Sequence, residues 1–133
     1  LKHADDGPRL LVCIICQRPE DGPRRMDVPR SGGKLLAEVR ALAADDPRLS
    51  ALSIEPAPCL YNCNMDCSAH LRAPGKPGLM LERLEPGPVS ARAVLDYAAA
   101  YMASAGGVVA EAARPPALEG HIFEWVPGER YLG

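Results

Sequence analysis

Aromatic residues are scarce in this chain. They make up 5% of its 133 residues, with one Trp and one Phe, so Leu, Val, Ile and Ala are expected to do the packing. No apolar run approaches the roughly 20 residues that a membrane-spanning helix requires. The opening stretch LKHADDGPRL lacks a basic segment followed by an apolar one, so no secretory leader is expected and the chain is read as cytoplasmic. Lys and Arg (15) nearly balance Asp and Glu (17), and the net charge of −2 gives no reason to expect nucleic acid or a membrane surface as a partner. A paired Ser and His in a nucleophile motif, a glycine-rich phosphate loop, H-E-x-x-H and internal repeats are all missing, which argues against an enzyme. What remains is ordinary for a globular protein, with 47% apolar and 24% charged residues. The length suits one domain over 1–133, and folding at this size buries roughly two-thirds of the unfolded surface.

Periodicity orders the elements. RLLVCII (9–15) is a short β-branched apolar run and reads as a buried strand. The prolines and glycines of QRPEDGPRRMDVPRSGG (17–33) mark a long loop. KLLAEVRALAADD (34–46) places Leu35, Leu36, Val39, Leu42 and Ala43 at helical spacing. A second strand lies in LSALSIEPAP (49–58), where Leu52 and Ile54 alternate with Ser53 and Glu55. SAHLRAPGKPGLMLERL (68–84) reads as two strands joined through PGKPG. SARAVLDYAAAYMASAGG (90–107) is a helix with Ala91, Val94, Leu95, Ala98, Tyr101 and Met102 on one face, ended by Gly106 or Gly107. From about 108 to 133 the chain is an extended, proline-interrupted tail that wraps the domain or meets a neighbouring subunit. The order β-α-β, hairpin, α predicts a parallel first pair, an antiparallel second pair and helices on the sheet faces. That is an α/β fold of thioredoxin-like type with a mixed four-stranded sheet.

Cysteine is concentrated. Its five residues fall in two tight groups, VCIIC (12–16) and CLYNCNMDC (59–67). In the predicted fold both groups lie at the carboxyl ends of the parallel strands, on one edge of the sheet. A disulfide framework suits neither a reducing compartment nor an odd number of thiols. Zinc needs four ligands in a tetrahedron, but its ribbons usually set their pairs about 15–20 residues apart. Here residues 17–58 hold a whole helix-and-strand unit, so a folded domain builds the site. Four thiolates from two neighbouring loops suit a [2Fe–2S] cluster better, and zinc stays open as the alternative. Taken alone, Cys13 in its apolar strand reads equally well as a small buried hydrophobe. Thiol–disulfide exchange fits poorly, because QRPEDGP after Cys16 cannot open the helix that activates a redox C-x2-C.

VCIIC, CLYNCNMDC-SAHLRAPGKPGLMLERL, LDYAAAYMAS and RPPALEGHIFEWVP together resemble the DUF1636 family of predicted metal-binding bacterial proteins over roughly residues 10–127. The cysteine stretch is also similar to that of thioredoxin-like [2Fe–2S] ferredoxins, including the small subunit of respiratory complex I. That resemblance implies Cys13, Cys16, Cys59 and Cys63 as ligands, with Cys67 spare. It implies an electron carrier that works with a redox partner protein, and commonly a homodimer. It also implies a link to cobalamin biosynthesis, as a reductant or metal handler. The chain departs from the ferredoxins in its close first pair and its fifth cysteine, so Cys67 enters as an alternate ligand, in place of Cys13 or during cluster assembly. The competing expectation is a zinc site, or a cobalt or iron carrier, with no electron transfer.

Other residues carry less. His70 follows Cys67 closely, but strand alternation turns it away from Ala69 and Leu71, and a solvated histidine is expected. His3 and His121 carry no motif. Arg18, Arg24, Arg25, Arg30 and Lys34 outnumber the loop acids, which reads as a solvated loop or as steering for an acidic partner. Lys76 reads as a turn residue. Ile122, Phe123 and Trp125 form an apolar patch for the core or a dimer interface.

Overall fold

The computed structural model describes residues 7–14, 30–57 and 67–124. The strands are β1 (Arg9–Cys13), β2 (Ser53–Ala57), β3 (Ala69–Ala73), β4 (Lys76–Leu81) and β5 (Ile122–Glu124). They form one sheet in the order β2-β1-β3-β4-β5. β1 and β2 are parallel, with Arg9 opposite Ser53 and Cys13 opposite Ala57. β1, β3, β4 and β5 pair antiparallel in turn. The four expected strands and their pairing are present, and the tail adds the fifth. The tail first makes short 3-10 turns at Glu111–Ala113 and Pro116–Leu118, burying Leu118, so within the described residues it wraps its own domain.

Helix α1 (Ser31–Ala43) begins earlier than the expected Lys34 and stops before Asp46. At its start Gly32 is required by proximity: a Cβ there would lie 1.8 Å from the carbonyl oxygen of Cys13. At its end Asp46 serves the next element, a 3-10 turn over Pro47–Leu49, whose Arg48 amide donates to the Asp46 carboxylate at 3.1 Å. Helix α2 (Pro88–Ala103) opens with Pro at its first position, where no intrahelical N–H is needed. Its buried face carries the expected Ala91, Val94, Leu95, Ala98 and Tyr101, and adds Ala93 and Tyr97. α1 and α2 pack against each other. Their apolar faces share one core with Leu10, Val12, Ala69, Leu71, Leu79 and Leu81 of the sheet. Each such leucine contributes about 1.5–3 kcal/mol by leaving water. The few aromatics are used here after all: Tyr97 and Tyr101 are among the largest fully buried side chains.

The hairpin turn is tighter than PGKPG suggests. Pro74 and Gly75 make the turn, with Gly75 at φ +77, and Lys76 already belongs to β4. Lys76 Nζ reaches the end of α2 and donates to the carbonyls of Tyr101 (2.9 Å) and Met102 (2.7 Å). The Tyr101 hydroxyl donates to the Pro77 carbonyl at 2.7 Å. Lys76 is thus a helix cap that locks the β3–β4 hairpin to α2. No helix among the described residues is long and apolar enough to cross a membrane.

Candidate metal centre

The end of β1 lies between two other strand ends. The Cys13 amide donates to the Ser68 carbonyl at 3.1 Å, and the Ile14 amide donates to the Ala57 carbonyl at 3.0 Å. Cys67 continues β3 backwards and exchanges backbone bonds with Leu84, its amide donating at 3.3 Å and its carbonyl accepting at 2.9 Å. Ile14, Ala57 and Cys67 are thus three ends of described chain that meet at this edge. Cys16, Cys59 and Cys63 lie outside the described residues, as do His3, Arg18, Arg24, Arg25 and Trp125.

The two described cysteines are both deeply placed. Cys13 is 2% exposed and Cys67 is fully enclosed, and both belong to the main core cluster. Alternation puts Cys67 on the side of Ala69 and Leu71, under the helices. It puts Cys13 on the side of Leu11, across from Ser68 and His70. Behind Cys13 stands the amino end of α1, held close by Gly32. A helix amino end carries partial positive charge and favours an anionic group near it. Exposed Lys34, in the first turn, adds a full charge.

Ser68 has no motif around it and gives no signal in the sequence. Its side chain is fully buried and its Oγ has no hydrogen-bond partner among the described residues. Such a group costs stability unless something accepts its proton, and here it sits beside the cysteines.

His70 is half-buried rather than solvated. Burial, and then the charge of Arg72, hold its imidazolium form below the ordinary range. Gly78 makes room for the ring, since a Cβ there would lie 2.8 Å from Nε2. His121 precedes β5, two strands from β3 at the same end of the sheet, with Nδ1 2.8 Å from the Glu82 carbonyl. No group of three or more His, Cys, Asp or Glu side chains suited to a metal ion occurs among the described residues. The described part of the site thus holds two sulfurs, an orphan hydroxyl and a helix amino end.

A family model described as "Protein of unknown function (DUF1636)" matches residues 10–128. The chain belongs to the DUF1636 family. Among solved structures, this DUF1636 chain is similar to a thioredoxin-like [2Fe–2S] ferredoxin from Aquifex aeolicus, with a TM-score of 0.57 and 16% identity. The match covers 92% of the DUF1636 chain and 97% of the ferredoxin. At that identity the likeness is one of fold, and the α/β thioredoxin-like architecture is shared. No curated protein matches the chain.

Proposed function

We propose that this DUF1636 chain is a ferredoxin-like electron carrier with one [2Fe–2S] cluster at the cysteine edge of its sheet. One observation carries the reading: the end of β1 is hydrogen-bonded to both the end of β2 and the residue after Cys67, so both cysteine groups issue from a single edge. At roughly 3.6 Å per residue at most, chain connectivity keeps Cys59 within about 7 Å of Ala57 and Cys16 within about 11 Å of Cys13. The thioredoxin-like [2Fe–2S] ferredoxin that shares the fold adds support.

Cys13, Cys16, Cys59 and Cys63 hold the cluster in this proposal, and Cys67 is the alternate ligand. Thiolates are the ligand type that iron–sulfur clusters require, and the buried Ser68 hydroxyl and the amino end of α1 suit an anionic, sulfur-rich group. When bound, the cluster supplies a one-electron couple. The protein's own part is to keep that edge dry through the enclosed Cys13 and Ser68 and to present the remaining surface to a redox partner protein. A homodimer belongs to the same proposal. Neither comparison bears on a link to cobalamin biosynthesis, which forms no part of it.

The close spacing of Cys13 and Cys16 favours a second reading, a zinc site or a cobalt or iron carrier without electron transfer. Visible absorption of protein purified without oxygen, with iron, sulfide and zinc counted on the same sample, separates the two. The electron-carrier reading expects equal iron and sulfide and a visible band that bleaches with dithionite and is lost in Cys59→Ser and Cys63→Ser. A colourless protein with stoichiometric zinc would sink it.

A further inference from the structure

The Ser68 hydroxyl has no partner among the described residues, although its side chain is fully enclosed. An alanine would occupy that position without the penalty of an unsatisfied polar group. Ser68 is the register partner of Cys13, whose amide donates to its carbonyl. Side chains opposed in this way leave the same face of a sheet, with Cβ atoms about 5 Å apart. The next residue back is Cys67. The only orphan hydroxyl along this edge of the described sheet therefore shares a face with Cys13, while Cys67 turns to the other face, and a sulfur on the Cys13 side is the acceptor that chemistry suggests.

We propose that Ser68 Oγ–H donates a hydrogen bond to a thiolate or sulfide sulfur of the metal centre and thereby raises its reduction potential. The inference rests on the [2Fe–2S] reading. Reduction adds negative charge that spreads onto the sulfurs, so a donor aimed at one of them stabilises the reduced state more than the oxidised state. Ser68 is closed off from solvent; it acts through the sulfur it faces and is a tuning residue.

The test is a redox titration of the loaded parent, Ser68→Ala and Ser68→Thr, followed by visible absorption and electron paramagnetic resonance. The expected result is an intact cluster spectrum in all three, a lower midpoint potential in Ser68→Ala, and a potential near the parent's in Ser68→Thr, which keeps the hydroxyl. If Ser68→Ala does not fold, Ser68→Gly removes the hydroxyl without adding bulk and carries the same expectation. An unmoved potential in a hydroxyl-less variant with the cluster intact overturns the role of Ser68 and leaves the cluster reading standing. A parent that holds zinc and no cluster overturns both.

Discussion

Cys13 and Gly32 are in backbone contact: a Cβ on Gly32 would lie 1.8 Å from the Cys13 carbonyl oxygen. The end of β1 and the first turn of α1 are therefore seated directly on each other. The same Cys13 is tied through its amide to Ser68 at the start of β3. The first cysteine of the chain is thus fixed from two directions before any metal is considered.

Gly32→Ala should be among the most damaging single-methyl additions in the protein. The obstacle is backbone, not a side-chain tip, so β1 or α1 must shift, at a cost of about 3 kcal/mol. Urea unfolding measures the loss. A change below about 0.5 kcal/mol, the range of an ordinary surface substitution, would show that the contact relaxes freely.

Cys67 separates a core role from a ligand role. Cys67→Ser buries a second hydroxyl in an apolar layer and should lower stability by about 1–3 kcal/mol. Cys67→Ala leaves no polar group there and should cost less. Both should keep the metal-dependent absorption of the parent. Its disappearance in Cys67→Ala would make Cys67 a required ligand.

Lys76→Met keeps the aliphatic stem and removes the cation that caps α2. The two bonds to Tyr101 and Met102, at 2.9 and 2.7 Å, are lost together. Stability should fall by about 1–2 kcal/mol, with amide exchange speeding up first at the end of α2. Unchanged exchange at Tyr101–Ser104 would contradict the capping role.

Gly75 and Gly107 have nearly the same backbone angle, φ +77 and +79, but different surroundings. A Cβ at Gly75 meets nothing within 4 Å, whereas one at Gly107 meets Lys76 Cβ at 2.8 Å and Pro77 Cδ at 3.0 Å. Gly75→Ala should cost about 1 kcal/mol, for the backbone alone. Gly107→Ala should cost about 1 kcal/mol more, because it also presses on the hairpin that Lys76 holds. Equal midpoints in denaturant would show that the hairpin yields.

Acid should weaken the protein in two steps. The His70 pKa is lowered from its ordinary 6.5, first by burial and then by Arg72. The unfolded chain takes up that proton more readily, so stability falls as pH drops below about 6.5 and levels off below the folded value. His70→Gln should remove that slope. The hydrogen bond from the Arg48 side chain is the main cause holding Asp46 at about 2 instead of 3.8. Its contribution is present above 3.8 and is lost as pH falls towards 2, so Asp46→Asn should flatten that lower limb. Thermal midpoints across pH 2–8 read both steps.

The order of elements, the presence of a hairpin within PGKPG and the buried face of α2 were legible in the sequence, because each depends on residues close together in the chain, whereas the reduction of that turn to Pro74–Gly75 was not. Helical and alternating patterns report which side of an element is apolar whatever it later meets. The clustering of the cysteines was legible for the same reason, and Cys13 and Cys67, the two described, do lie at one edge. The first turn of α1 was hidden, since its glycines read as loop until Cys13 is seen against Gly32. Ser68, Lys76 and the depth of Cys67 had no local signature at all. Their roles are set by which distant segments meet: β1 against β3, the hairpin against the end of α2, the start of β3 against the core. Pattern determined what the pieces are; register and packing decided that, among the described residues, the Ser68 hydroxyl is left without a partner and Cys13 and Cys67 are closed off from water.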